Sequence, residues 1–114
     1  MDKMERRKAA RYSFDEIPEV LRKPVLLLNY EEVKSQIINL SPLGISLSVD
    51  KEIDIDKESV FQVKFRVIDS YIQCICVFSD IYGDNRIVNA YFTDVEDSKA
   101  MMKILKTTDI KDNG

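Results

Sequence analysis

The sequence predicts a mainly β protein, a small antiparallel barrel or sandwich of about six strands, with a C-terminal α-helix and a flexible N-terminal arm. Two patterns support this fold class. Several short segments alternate apolar and polar residues with a period of two, as half-buried strands do. The last segment instead spaces its apolar residues like an amphipathic helix. A chain of 114 residues suits one domain and can bury a core without a metal or a disulfide.

Six strands are predicted after residue 24, and Phe61–Val67 shows the clearest alternation, with Phe61 and Phe65 on the core face. The other five are Val25–Asn29, Val33–Ser41, Gly44–Val49, Tyr71–Tyr82 and Arg86–Phe92. A turn at residues 41–44 contains a proline that fixes φ and a glycine that is free to adopt positive φ. A second turn at residues 83–85 predicts a hairpin.

The helix is predicted over Val95–Lys106, with Asp94 as its N-cap. Its apolar residues Val95, Met101, Met102 and Leu105 form one face that could cover an end of the barrel. The chain therefore divides into a basic arm (residues 1–20), the barrel with its helix (21–108) and a disordered tail (109–114).

The net charge of −3 is unevenly distributed. The first eleven residues carry five basic and two acidic side chains, which leaves 12 basic and 18 acidic side chains in the body. The arm is thus +3 and the body −6. This arrangement suggests an arm that captures an anionic ligand. Charge alone, however, favours an ordinary solvated terminus.

The composition argues against metal binding and membrane insertion. Cys74 and Cys76 would point to the same face of a strand, but a chain without histidine falls short of a four-ligand zinc site. We interpret them as small buried residues, with free thiols that suit a reducing cytoplasm. The sequence has no signal-peptide core and no apolar run of the ~18 residues that cross a membrane, so we expect a soluble cytoplasmic protein.

The sequence also argues against catalysis. It has no histidine base, no nucleophile elbow and no phosphate-binding loop, so we predict that the protein is not an enzyme and needs no cofactor. The acidic loop at residues 50–58 lacks the glycine and the terminal glutamate of an EF-hand. We interpret it as a solvated loop rather than a cation site.

Two groups of polar residues carry the chemistry. Arg7 and Arg11 lie in the basic arm, and their guanidinium groups can bind guanine, stack on purines and pair with phosphates. Asn39, Ser41 and Gly44 lie at a predicted strand end, where they offer amide and hydroxyl groups and close backbone approach. Separately, each group is ordinary: paired arginines are common, and the second group is also a good strand-to-turn sequence.

In combination they resemble the PilZ domain family, whose motifs are Arg-x-x-x-Arg and [Asp/Asn]-x-Ser-x-x-Gly. Here the motifs are Arg7-Lys-Ala-Ala-Arg11 and Asn39-Leu-Ser41-Pro-Leu-Gly44, and the resemblance extends from about residue 5 to the closing helix. It implies a six-stranded barrel that binds cyclic di-GMP. By this resemblance the two arginines grip guanine and phosphate. Asn39 and Ser41 meet the other guanine side, and Gly44 allows close approach.

The resemblance implies two further features. Arg6 occupies a position that influences ligand stoichiometry in the family, and an arginine there is compatible with a stacked pair of cyclic di-GMP molecules. Asn89 stands where family members often carry a glycine, two or three residues before a phenylalanine. Because of this departure, the motifs alone do not define the ligand-facing surface of the last strand.

We therefore expect a cyclic di-GMP receptor that orders its arm on binding and passes the signal to a partner protein. Motility, adhesion and polysaccharide export are candidate outputs. The alternative is a PilZ-like interaction adaptor that does not bind nucleotide. An RNA-binding barrel would share the fold, but the sequence lacks a basic sheet face studded with aromatic residues. We expect no binding to DNA or RNA.

Overall fold

The computed structural model describes the backbone of residues 11–113 and the side chains of residues 11–106. Its strands, numbered in chain order, are β1 (Tyr12–Ser13), β2 (Val25–Leu28), β3 (Glu31–Val33), β4 (Ser35–Leu40), β5 (Gly44–Asp50), β6 (Val60–Lys64), β7 (Ile72–Tyr82) and β8 (Asn85–Phe92). They form one antiparallel sheet in the order β1-β4-β5-β8-β7-β6-β2-β3, followed by helix α1 (Val95–Asn113). The predicted class, mainly antiparallel β with a C-terminal helix, is confirmed.

The sheet differs from the prediction in having eight strands and in not being closed. One additional strand, β3, arises because the predicted strand Val33–Ser41 is preceded by a tight turn at Asn29 and Tyr30. Both turn residues have positive φ, 53° and 67°. Asparagine tolerates this conformation, but tyrosine rarely adopts it, so Asn29-Tyr30 is not a residue pair that predicts such a turn.

The other additional strand, β1, lies in the segment that the sequence assigned to the flexible arm. Tyr12 pairs with Leu40 and Ser13 pairs with Asn39 of β4. Two 3-10 turns follow, Phe14–Glu16 and Glu19–Leu21, and both Ile17 and Leu21 are buried in the core. The chain from residue 12 is therefore folded onto the sheet. The rest of the predicted arm, with Arg6 and Arg7, lies outside the described residues.

The core combines the buried side chains of the sheet with those of the 3-10 turns and α1. Phe61 and Phe65 are buried as predicted, and so are the free thiols of Cys74 and Cys76. Helix α1 contributes buried residues that include Met101 and Leu105. The helix begins at Val95 as predicted, but this side chain is 66% exposed and does not belong to the buried face. The helix also continues beyond Lys106, through Asn113, into the segment predicted to be a disordered tail.

Two β-bulges interrupt the strict alternation. On β4 the register shifts at Ile38, so Ile37 and Leu40 both face the core. Strict alternation would place Ile38 on the core face together with Leu40, but the extra residue reverses the phase of the strand, so Ile37 takes that place. On β7 the register shifts at Val77, so Cys76 faces the core while Phe78 is exposed.

The structure requires glycine at position 44 for a different reason from the one that its sequence context suggests. A turn glycine is free to adopt positive φ, but among the described glycines positive φ is found at Gly83 (φ 63°), the first loop residue of the β7–β8 hairpin. At Gly44 a Cβ atom would lie 2.1 Å from the carbonyl oxygen of Ala90 on β8. Only glycine allows β5 and β8 to approach this closely.

The first prediction concerns this contact. A Gly44→Ala substitution forces β5 away from β8, so we expect the free energy of unfolding to fall by about 1–3 kcal/mol. Urea unfolding followed by circular dichroism measures the change. Gly83→Asn is the matched control, because the space around Gly83 is open and asparagine tolerates positive φ. Equal stability of the Gly44→Ala variant and the wild type would contradict the close approach.

The second prediction concerns the buried thiols. Burial, with a smaller contribution from Asp97, raises the pKa of Cys74 from 9.0 to about 12, and burial also raises the pKa of Cys76. Only the thiolate reacts with iodoacetamide, so we expect negligible labelling of the folded protein at pH 8.5 and full labelling in urea. Rapid labelling of both thiols without urea would contradict their burial.

The same shift sets a pH dependence of stability. Above pH 9 the unfolded state loses the Cys74 proton while the folded state retains it. This group therefore leaves stability unchanged below pH 9, and lowers it by about 1.4 kcal/mol per pH unit between pH 9 and about 12. Comparison with Cys74→Ala isolates this slope, which the variant lacks.

Candidate functional site

Four of the predicted site residues line one shallow cavity. Arg11, Asn39, Ser41 and Gly44 surround a space of about 150 Å³ on the outer face of the sheet. The remaining lining residues are Ile45, Ser46, Val77, Asn89, Ala90 and Tyr91. Arg11 of the first motif therefore lies beside the second motif, although 28 residues separate it from Asn39 in the sequence. Arg6 and Arg7 lie outside the described residues.

The pairing of β1 with β4 brings the two motifs together. Arg11 immediately precedes Tyr12, which pairs with Leu40, between Asn39 and Ser41. A capping interaction holds the chain after β1, because the backbone N–H and the hydroxyl of Ser13 both donate to the Glu16 carboxylate at 2.9 Å. These hydrogen bonds lower the pKa of Glu16, so the carboxylate remains ionised. The end of the basic segment, at Arg11, is thereby held beside the second motif.

A row of polar residues crosses the sheet at this point. Ser13 pairs with Asn39, Asn39 with Ser46, and Ser46 with Asn89. The bulges on β4 and β7 lie beside this row, one on each side of the β5–β8 pair. None of these four paired side chains, on β1, β4, β5 and β8, is buried, and the row lies on the outer face of the sheet. The row offers amide and hydroxyl groups to anything that lies across the strands.

Ser41 has a local structural role. Its hydroxyl oxygen accepts hydrogen bonds from the backbone N–H groups of Leu43 and Gly44, each at 3.2 Å. The backbone N–H of Ser41 donates to the carbonyl oxygen of Gly44 at 2.9 Å, which closes the turn. The hydroxyl hydrogen is not used by these two bonds and can still be donated to a ligand. Ser41 can therefore hold the turn and contact a ligand at the same time.

Asn89 belongs to the cavity rather than obstructing its formation. The Ser46 hydroxyl donates to the Asn89 side-chain oxygen at 2.6 Å, and this bond orients the amide. The amide nitrogen of Asn89 keeps two donors, and the Ser46 oxygen keeps its acceptor capacity. Ser46 was not among the predicted site residues. Its outward position follows from the alternation of β5, but its place beside Asn39 and Asn89 requires the strand register.

Tyr91 was also missed by the sequence analysis. It pairs with Gly44 across β5 and β8, lines the cavity and is 56% exposed. An exposed tyrosine beside polar groups can stack on a planar ligand while they bind its edge.

The cavity is basic, because Arg11 is the one charged side chain among the described residues that line it. Residues 11–106 contain no cluster of three or more potential metal ligands. None of the described helices has both the length and the apolar character that crossing a membrane requires. The chemistry of the cavity is that of hydrogen bonding, stacking and a single cation.

Comparison with known proteins shows the fold. No family model and no curated protein matches the chain. The structure is similar to that of the Bacillus subtilis inhibitor of motility MotI/DgrA, with a TM-score of 0.65, 12% identity and coverage of 93% of this chain and 52% of that one. It is also similar to an uncharacterized Legionella protein, with a TM-score of 0.58, 15% identity and coverage of 92% and 99%. This chain spans about half the length of the motility inhibitor.

The third prediction tests the turn at the site. Ser41→Ala removes the acceptor of two backbone N–H groups, so we expect the free energy of unfolding to fall by about 0.5–1.5 kcal/mol. Ser41→Thr keeps the hydroxyl and should retain most of the stability. Urea unfolding of both variants provides the measurement. An alanine variant as stable as the wild type would show that the hydroxyl does not hold the turn.

Proposed function

We propose that this chain is a receptor domain for cyclic di-GMP that acts by binding rather than by catalysis. The observation that carries the proposal is that Arg11 lines the same cavity as Asn39, Ser41 and Gly44. These residues belong to two motifs that resemble those of PilZ domains. The pairing of β1 with β4 brings Arg11 to this surface from 28 residues away in the sequence.

The chemistry of Arg11 suits this ligand. A guanidinium group can bind the O6 and N7 atoms of guanine with two parallel hydrogen bonds, or pair with a phosphate. Arg11 is exposed, and the described residues offer it no carboxylate within 4.0 Å. Its charge is therefore open to an anion. Arg7 would add a second guanidinium from the segment that precedes it.

The polar row supplies groups that can read a guanine edge. Guanine presents both donors and acceptors, and so do the side chains of Asn39, Ser46 and Asn89. Tyr91 at the rim provides an aromatic face for stacking, which contributes about 1–3 kcal/mol per base. The combination of edge and face contacts favours a nucleobase over a simple anion.

The size of the cavity defines how the ligand would lie. A volume of about 150 Å³ is smaller than the ~300–1,000 Å³ of sites that enclose drug-sized ligands. A cyclic dinucleotide would therefore insert one base edge and extend over the outer face of the sheet. The arginines would cover it from the other side, and Arg6 would influence whether one or two molecules bind.

The proposed output is a change in the surface shown to a partner protein. Binding would order the segment before Arg11 against the sheet, and the arginine and stacking contacts must outweigh the entropic cost. Similarity in fold to an inhibitor of motility supports a regulatory role and makes motility machinery a candidate target. Adhesion and polysaccharide export are alternative targets. We place this signalling in the cytoplasm.

The fourth prediction is tested by isothermal titration with cyclic di-GMP. We expect binding to the wild type and none at micromolar concentrations for Arg7→Ala or Arg11→Ala, because hydrogen bonds to charged groups contribute about 1.5–3 kcal/mol each. Circular dichroism checks that both variants remain folded. Full affinity in either variant would refute the proposed site.

Arg66→Ala is the matched control, because Arg66 is an exposed arginine that does not line this cavity. It should bind like the wild type. Cyclic di-AMP tests the base: comparable affinity for both dinucleotides would contradict reading of a guanine edge.

The alternative is a PilZ-like adaptor that does not bind nucleotide, and the small cavity with Asn89 in its wall favours it. Asn89→Gly separates the two functions. If the wild type shows no binding and the glycine variant gains it, the Asn89 side chain blocks the site and the adaptor is supported. If the wild type binds and the variant binds more weakly, Asn89 contributes to recognition.

A further inference from the structure

A second and larger cavity lies away from the candidate ligand site. It has a volume of about 710 Å³ and runs between the 3-10 turns that follow β1 and the end of β6. A neighbouring cavity of about 600 Å³ shares Phe14, Arg22 and Lys23 with it. Neither has a lining residue in common with the Arg11 cavity. We call the first of the two the basic cleft.

The basic cleft is positive on a negatively charged chain. Four basic side chains line it, namely Arg22, Lys23, Lys64 and Arg66, against two acidic ones, Glu19 and Glu32. The chain as a whole has a net charge of −3. A concave surface of one sign attracts ligands of the other sign and raises their local concentration.

No ion pair with another described residue neutralises the cations of the cleft. Arg22 donates to the backbone carbonyl oxygens of Ile17 and Asp15, at 2.9 Å and 3.2 Å. Lys64 donates to the carbonyl oxygen of Ile68 at 2.7 Å. The three ion pairs found among the described residues lie elsewhere. Backbone carbonyls position these two cations but do not cancel their charge.

Apolar groups are exposed at the same place. The side chains of Phe14, Val20, Val25 and Tyr71, which are 37–50% exposed, line the basic cleft. Arg22 covers the Phe14 ring at 5.1 Å from its centroid and leaves part of the ring accessible. Exposed apolar groups among cations mark a surface that gains free energy when a partner covers it.

We propose that the basic cleft is the docking site for an acidic peptide segment of a partner protein, with apolar side chains between its carboxylates. The carboxylates would meet Lys23 and Arg66, and the apolar side chains would contact Val20, Val25 and Tyr71. The carboxylates of Glu19 and Glu32 interrupt the cations, which disfavours clustered phosphates but suits a peptide with spaced charges. Residues 1–10 of the chain are themselves net basic, so they are not the occupant. The inference does not depend on cyclic di-GMP binding.

Lys23 and Arg66 are the residues to test, because both are exposed and Arg22 and Lys64 also hold the backbone. The probe is a fluorescein-labelled peptide of alternating glutamate and leucine residues, followed by fluorescence anisotropy with the full chain. We expect binding that weakens as salt is raised, and a loss of affinity of about tenfold or more in the double variant Lys23→Glu, Arg66→Glu. A peptide with lysine in place of glutamate should not bind.

The matched control is Lys57→Glu with Lys106→Glu, which changes the net charge equally at exposed positions outside the cleft. It should keep wild-type affinity for the acidic peptide. Equal affinity in the Lys23, Arg66 variant, or an equal loss in the control, would overturn the proposal. Binding of the lysine peptide with similar affinity would overturn it as well.

Two further measurements exclude other occupants. Displacement of the peptide by cyclic di-GMP would assign the cleft to the nucleotide and overturn the proposal. A dimer in sedimentation velocity that dissociates in the Lys23, Arg66 variant would assign it to a second copy instead. Cyclic di-GMP binding by that variant should be unchanged, so failure here is distinguishable from failure of the proposed receptor function.

Discussion

The short pairing between β1 and β4 is the constraint on which the candidate site depends. Two residues, Tyr12 and Ser13, pair with Leu40 and Asn39, and this fixes Arg11 beside the second motif. The pairing is short, but buried Ile17 and Leu21 anchor the chain immediately after it. A few hydrogen bonds at a sheet edge are thus stabilised by apolar burial a few residues away. The position of any ligand bound by Arg11, relative to the sheet, therefore depends on this anchor.

Two bulges flank the polar surface. Without the extra residue at Ile38, strict alternation would direct either Ile37 or Leu40 outward, whereas both are buried. The bulge at Val77 likewise leaves Cys76 buried and Phe78 exposed. Between the bulges, β5 and β8 carry Ser46 and Asn89 in regular alternation, hydrogen-bonded at 2.6 Å. The polar surface is therefore a regular pair of strands bordered on each side by a bulge, and bulges are common next to functional sites.

The sequence was informative where one physical signal dominated. Period-two alternation correctly indicated the strands around Phe61 and Phe65, and the small apolar character of Cys74 and Cys76 correctly indicated burial. It failed where the decisive contact is distant in sequence: β1 is two residues long and is a strand only because β4 lies beside it. Gly44 looked like a turn glycine, whereas the oxygen of Ala90 excludes a side chain there. Ser46 and Tyr91 could be placed at the site only from the register of β5 and β8.

The segment from β1 to Lys23 links the two surfaces. It begins beside Arg11 at the candidate ligand cavity and contributes Phe14, Arg22 and Lys23 to the basic cleft. Its internal hydrogen bonds, from Ser13 to Glu16 and from Arg22 to Ile17, tie these positions to each other. Two sites influence each other only through an element whose arrangement both of them bias. This segment meets the geometric part of that condition, because it borders both sites, and the nearby core residues Ile17 and Leu21 limit how it can move. This segment is therefore one route by which a ligand at Arg11 would act on the cleft.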